Sequence, residues 1–167
     1  MITDWRLART ALSVLAMQPT GLGGAVIRMR ASPDRDILTQ ALTRGFGDLV
    51  RITPDIDDLH LFGGIDIAAT LNSGQLVETS GILNRPRVLC LVMAERCTAA
   101  LAARLARYLD AHPSAVLIAL DESAEDTEGL PNALMDRLAF ALSPEGHAPA
   151  RWGLRRASVK RWVQAAC

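Results

Sequence analysis

A strand, a short polar loop and the start of a helix follow one another in residues 24–38, GAVIRMRASPDRDIL. This order of elements builds the phosphate-binding loop whose spacing is GxxxxGK(S/T), in which the lysine contacts phosphate and the hydroxyl holds Mg²⁺. At the two glycine positions this chain has Met29 and Asp34. Arg35 stands at the lysine position and Asp36 at the hydroxyl position. The sequence therefore keeps the frame of a phosphate site but not its chemistry.

Each replacement in this loop weakens the binding of phosphate. Pro33 has no N–H group to donate, and the carboxylates of Asp34 and Asp36 put negative charge where phosphate would lie. Arg35 carries a wide planar cation instead of a compact ammonium. A lost hydrogen bond to a charged group costs about 1.5–3 kcal/mol, so we expect this degenerate Walker A loop to be non-functional. Its candidate cofactor-binding residues are Arg30, Ser32, Asp34, Arg35 and Asp36. By itself, the loop is also compatible with an ordinary turn of an α/β domain.

A second motif lies at residues 88–96, VLCLVMAER. It has the form of a Walker B strand, in which apolar residues end in Asp-Glu and the aspartate binds Mg²⁺. Ala94 occupies the aspartate position, whereas Glu95 retains the glutamate. Glu95 is therefore a candidate catalytic remnant, and the simpler alternative is a surface carboxylate at the end of a strand.

A third segment, residues 116–140, consists of an apolar strand, an acidic loop at 121–128 and a short helix that ends at Asp136-Arg137. The loop could bind a hard cation through its carboxylates, or it could be a solvated loop. On the residues alone, Arg137 is expected to form a surface ion pair with Asp136 or with the loop. The following run, LAFAL, is too short for its periodicity to distinguish helix from strand. The carboxylates of the acidic loop are Asp121, Glu122, Glu125, Asp126 and Glu128.

Strands and helices alternate along the chain, which predicts a parallel α/β sheet with helices on both faces. Thr3 is expected to cap the first helix, and Pro33 to open the second. Glycines punctuate residues 65–83 between apolar pieces too short for central strands, so we expect this segment to project from the sheet. The predicted strands lie at 25–29, 48–52, 87–95 and 115–120, and the predicted helices at 4–17, 34–43, 98–110 and 132–136.

Length and composition limit the classes of protein to consider. The chain has 167 residues, half of them hydrophobic, and a formal net charge of zero, which argues for one globular domain and against a nucleic-acid partner. Its three cysteines lack metal-ligand spacing and imply no disulfide framework, so we predict no bound metal and a cytoplasmic location. No apolar run approaches the ~18 residues of a transmembrane segment.

Taken in order, these motifs resemble the magnesium chelatase AAA+ proteins over about residues 5–142. Residues 61–83, LFGGIDIAATLNSGQLVETSGIL, look like the helix-2 insertion of that family, and residues 134–138, LMDRL, correspond to its LLDRF motif. Residues 116–140 resemble the sensor-1 and arginine-finger region of AAA+ ATPases, although no sensor-1 asparagine is present. The degenerate Walker motifs and the opening GLGGAVIR resemble the D subunit, not the ATP-hydrolysing I subunit.

The resemblance implies an α/β fold of the AAA+ P-loop type: three layers, a parallel sheet, a helix-2 insertion and a lid that is largely absent. It implies a further strand at 139–142. The domain would cover 1–143, and 144–167 would be a basic linker or the start of the lid. The chain would then be an N-terminal part of a longer protein.

The resemblance also implies a function. The magnesium chelatase complex inserts Mg²⁺ into protoporphyrin IX at the expense of ATP, in (bacterio)chlorophyll biosynthesis. This domain would be a non-hydrolysing platform that docks the I subunit, and through the complex the porphyrin-binding H subunit. It would bind no cofactor tightly, and Arg137 would act as an arginine finger in trans. Two alternatives are a stand-alone α/β enzyme with a metal site in the acidic loop and a MoxR-like regulatory AAA+ module.

Overall fold

A computed structural model of the chain describes residues 1–123, 129–149 and 152–154. The strands in these ranges are β1 (Gly24–Arg28), β2 (Leu49–Ile52), β3 (Gly63–Ile65), β4 (Glu78–Ser80), β5 (Val88–Leu91), β6 (Val116–Asp121) and β7 (Phe140–Leu142). The helices are α1 (Trp5–Met17), α2 (Pro33–Phe46), α3 (Asp58–Phe62), α4 (Ile67–Ser73), α5 (Ala99–Ala111) and α6 (Asn132–Met135).

Five strands form one parallel sheet in the order β2-β5-β6-β1-β7. Side chains of successive strand residues point to opposite faces, and the sheet accordingly divides two apolar cores. In β5, Val88 and Cys90 pack with α1 and α2, whereas Leu89 and Leu91 pack with α5. All six residues of β6 are buried, as expected of a strand covered by helices on both faces. The predicted parallel α/β architecture is confirmed.

Several element boundaries differ from those predicted. The N-cap of α1 is Asp4, not Thr3, because the Asp4 carboxylate accepts the backbone N–H groups of residues 6 and 7. Helix α2 continues to Phe46 and ends at Gly47, whose φ of 75° is easily adopted by glycine. Strand β5 is shorter than the predicted 87–95 because Met93 adopts a left-handed φ of 50°.

Residues that follow α6 form β7 beside β1, so the strand implied at 139–142 is confirmed and the ambiguity of LAFAL is resolved in favour of a strand. Beyond β7, the chain returns across α1. The N–H of Glu145 donates to the Thr3 carbonyl, and Trp152 packs edge-on against Trp5 with ring centroids 5.3 Å apart. The boundary between 143 and 144 stays a prediction.

The insertion between β2 and β5 projects from the sheet. It contains the antiparallel pair of β3 and β4, together with α4, which has no buried residue. Ile67 and Leu71 on α4 are 70% and 78% exposed. Leu83, by contrast, is buried in the core beside Leu61, so the projecting part is shorter than the predicted 65–83. In the described residues, no helix is long and apolar enough to cross a membrane.

Candidate functional site

Three segments that carry the predicted motifs meet at the carboxyl edge of the sheet. They are the loop at 29–32 after β1, the 3₁₀ turn Ala94–Arg96 after β5, and residues 121–122 at the end of β6. Strands β5, β6 and β1 are neighbours and parallel, and the carboxyl ends of such strands form the usual ligand-binding edge of an α/β sheet. The fold therefore brings the remnants of Walker A and Walker B together.

The first turn of α2 is satisfied by the protein itself. The hydroxyl of Ser32 caps the helix by accepting the N–H of Arg35 at 3.2 Å, and the N–H of Asp36 donates to the Ser32 carbonyl. Pro33 occupies the first position of the helix and offers no N–H. These three features remove donors that a phosphate-binding loop directs at its ligand.

Asp34, at the second glycine position of the motif, binds the segment that follows β7. Its Oδ1 accepts the N–H of Ala148 at 2.8 Å, and its Oδ2 lies 3.3 Å from Nδ1 of His147. The Ala148 hydrogen bond, followed by the hydrogen bond and charge of His147, holds the pKa of Asp34 below its usual value. The Asp34 carboxylate thus favours its charged form beside the loop.

Arg35 points toward the end of β6. Its Nη2 lies 2.5 Å from Oε1 of Glu122, and the two side chains are only 14% and 30% exposed. The backbone N–H of Glu122 in turn donates to Oε2 of Glu95 at 3.0 Å. The cation at the lysine position is therefore paired with a carboxylate of its own chain. Arg30, the remaining candidate of the loop, is exposed.

Two further residues belong to this edge. Asp121 is 2% exposed and lies 3.4 Å from Nε of Arg28, its register partner on β1. Its other oxygen accepts the N–H of Ser123 at 2.8 Å. Ala94, at the Mg²⁺-binding position of Walker B, is fully buried and supplies no oxygen. The pairing of Arg28 with Asp121 was not predicted, because a charged residue at the end of each strand does not indicate which strands are neighbours.

The acidic loop lies partly outside the described residues. Both of its described carboxylates, those of Asp121 and Glu122, form ion pairs with arginines, and Glu125, Asp126 and Glu128 lie outside the described residues. In the part of the chain that the structure covers, no three His, Cys, Asp or Glu side chains form a group that could hold a metal ion.

Arg137 lies at the opposite edge of the sheet. Its carbonyl approaches Gly23, and the N–H of Ala139 donates to Leu22, so it is close to the start of β1. Its Nε and Nη2 each donate to an oxygen of Asp110 at 2.8 Å, and Nη1 donates to the Ala133 carbonyl.

The carboxylate partner of Arg137 is therefore Asp110 on α5. The surface ion pair is thus made with a carboxylate other than Asp136, and Glu125, Asp126 and Glu128 of the acidic loop lie outside the described residues. The side-chain hydrogen bond from Arg137 holds the pKa of Asp110 below its usual value. Arg137 is 36% exposed and does not contact the remnant pocket of its own chain.

The residues at the carboxyl edge do not fit a nucleotide and its Mg²⁺. The expected hydroxyl is replaced by Asp36, the expected aspartate by Ala94, and the expected lysine by an arginine that is already paired. Instead, ion pairs and one backbone hydrogen bond within the protein connect these three segments.

No protein-family model matches the chain. The magnesium-chelatase 60 kDa subunit of Cereibacter sphaeroides is 49% identical to it over 152 residues, which are 91% of this chain and 26% of that protein. The 60 kDa subunit of Rhodobacter capsulatus is 47% identical over 139 residues, or 82% of this chain and 25% of that protein. The chain thus spans about a quarter of the length of these curated relatives.

Among solved structures, the fold resembles a cryo-EM-based model of the complex between subunits BchI and BchD of magnesium chelatase. The TM-score is 0.62 at 15% identity, covering 90% of this chain and 61% of the matched one. The predicted fold class is thereby confirmed. Most of this chain is homologous to about a quarter of the magnesium-chelatase 60 kDa subunit, and its fold is that of the solved BchI–BchD structure.

Proposed function

We propose that this chain is a non-hydrolysing AAA+ platform of a magnesium chelatase, which docks the ATP-hydrolysing I subunit. The observation that carries the proposal is the ion pair between Arg35 and Glu122, because it uses the cation that a working loop needs for phosphate. The identity to two magnesium-chelatase 60 kDa subunits supports the assignment to this complex. The solved complex of BchI with BchD supports an I subunit as the partner.

In this proposal the complex uses ATP to insert Mg²⁺, its substrate, into protoporphyrin IX for (bacterio)chlorophyll synthesis. The bonds between Mg²⁺ and the porphyrin nitrogens form elsewhere in the complex, which includes the porphyrin-binding H subunit. The complex acts in the cytoplasm. The role of this chain is to present an AAA+ surface of the right shape to its neighbour. A ring-shaped ATPase needs such a surface at each interface, and a subunit can supply it without a working pocket.

Arg137 is the residue that we propose acts in this interface, as an arginine finger in trans. It lies at the sheet edge opposite its own remnant pocket, and three of its donors are fixed by Asp110 and Ala133. In the interface this guanidinium would exchange its bonds to Asp110 for a phosphoryl group of the neighbour. Arginine fingers raise the rate of phosphoryl transfer by about 10³–10⁵.

The substitution Arg137→Ala in the longer subunit tests this role. We expect unchanged assembly with the I subunit and a loss of at least tenfold in stimulated ATPase activity. Arg104→Ala is the matched control, because Arg104 is likewise an exposed arginine, paired with Asp58. Equal ATPase activity of the two variants would assign Arg137 to an ordinary surface ion pair.

Co-purification with an I-type ATPase tests the platform role. We expect the longer subunit to elute with that ATPase in the presence of Mg-ATP. The stand-alone metal enzyme and the MoxR-like module are not favoured, since the relatives are magnesium-chelatase subunits. Both alternatives predict separate elution, and that result would overturn the proposal.

A further inference from the structure

Arg35 in the first turn of α2 and Glu122 at the end of β6 form a largely covered ion pair, with side chains 14% and 30% exposed. In a phosphate-binding loop the corresponding lysine reaches the β- and γ-phosphates. Here the guanidinium contacts a carboxylate that lies 87 positions further along the chain. The arginine side chain is 14% exposed, so most of its surface is covered by protein. The carboxylate of Glu122 therefore already occupies the guanidinium that would otherwise bind a phosphate.

Glu122 is itself held in place. Its N–H donates to the carboxylate of Glu95, which is 12% exposed and lies 3.8 Å from Nε of Arg96. The order of contacts runs from α2 through the end of β6 to the 3₁₀ turn after β5. These are the elements that a bound nucleotide and its Mg²⁺ connect in a working ATPase of this fold.

We infer that the carboxylate of Glu122 is a built-in anionic ligand, which replaces phosphate at Arg35 and connects α2 to the end of β6 without nucleotide. The inference rests on the proposed function, whose main observation is the same ion pair, but it concerns how the domain holds its own pocket and is tested without a partner. It has a specific consequence. Removal of the carboxylate leaves a largely covered guanidinium without its partner and creates a need for an external oxyanion.

An ordinary structural ion pair would also be weakened by mutation, so loss of stability alone does not test the inference. Chemical rescue does. We therefore compare thermal unfolding of the 167-residue chain in inorganic pyrophosphate and in sodium chloride of equal ionic strength. The variants are Glu122→Ala, the double variant with Arg35→Ala, and Asp58→Ala. The last is a matched control because it frees Arg104, which is 38% exposed in an ion pair of the same length.

For Glu122→Ala we expect a lower Tm in chloride and a recovery of roughly 2–4 °C in pyrophosphate, the scale of one interaction in a chain of this size. The unsubstituted chain, the double variant and Asp58→Ala should show no comparable difference between the two salts. The isosteric variant Glu122→Gln gives the same comparison if the alanine variant does not fold. Equal responses of Glu122→Ala and Asp58→Ala to pyrophosphate would overturn the inference. So would a recovery of the same size in the unsubstituted chain.

Discussion

Restoring the lysine of the phosphate-binding loop should not restore nucleotide binding. In the variant Arg35→Lys, the ammonium group still faces the carboxylate of Glu122, and Pro33 and Asp36 remain. Three groups that contact the phosphates or Mg²⁺ in a working loop are therefore still missing or occupied. At ~1.5–3 kcal/mol each, their loss amounts to about 4.5–9 kcal/mol of binding free energy.

This free energy corresponds to a roughly thousandfold to millionfold weaker Kd, since about 1.4 kcal/mol is a factor of ten. A micromolar site would become about millimolar or weaker. Isothermal titration calorimetry with Mg-ATP should accordingly detect no binding at micromolar concentrations, either for the unsubstituted chain or for Arg35→Lys. An intact I-type ATPase provides the positive control. Micromolar affinity in either protein, or any turnover of ATP, would refute the reasoning.

Three further predictions concern the fold. Amide hydrogens of the helix Ile67–Ser73 should exchange much faster than those of the central strand Val88–Leu91, because that helix has no buried residue; equal rates, measured by mass spectrometry, would contradict the projecting insertion. Gly24→Ala should lower the free energy of unfolding, measured in urea, by at least ~2 kcal/mol, because the added Cβ would lie 1.8 Å from a carbonyl oxygen of β6. Gly153→Ala is the control, since nothing lies within 4 Å of its Cβ, and it should change the free energy of unfolding by no more than ~0.5 kcal/mol. Burial raises the pKa of the Cys90 thiol to about 11 from 9.0, so Cys90 should resist iodoacetamide at pH 8 in the native chain. Its contribution to stability, fully present below pH 9, should be lost as the pH rises toward 11. Rapid labelling of Cys90 in the native chain would exclude this environment.

Elements with strong local signals were predictable from the sequence. The continuous apolar run of β6 predicts a strand covered on both faces, and all six of its residues are buried. Capping residues fixed the start of α5 at Thr98, whose hydroxyl accepts the N–H of Leu101. Boundary errors arose where two residues compete. Thr3 and Asp4 are both good caps, and only the backbone geometry selects the second.

The candidate site was predictable as a location but not as a set of contacts. The order of strands brings the two Walker remnants to one edge, which follows from the parallel topology. The pairing of Arg35 with Glu122 does not follow, because it joins side chains 87 positions apart and depends on which strands are neighbours. The same holds for Arg137 and Asp110, which meet only because α6 packs on α5.

The most direct test of the platform role is the ATPase activity of the mixed assembly when each pocket is disabled in turn. One sample combines the longer subunit with an I subunit whose P-loop lysine is replaced, and the other combines Arg35→Ala with an intact I subunit. The proposal predicts no hydrolysis in the first sample and full stimulated activity in the second. Hydrolysis that persists in the first sample, or is lost in the second while assembly is retained, would contradict a subunit that leaves ATP chemistry to its neighbour.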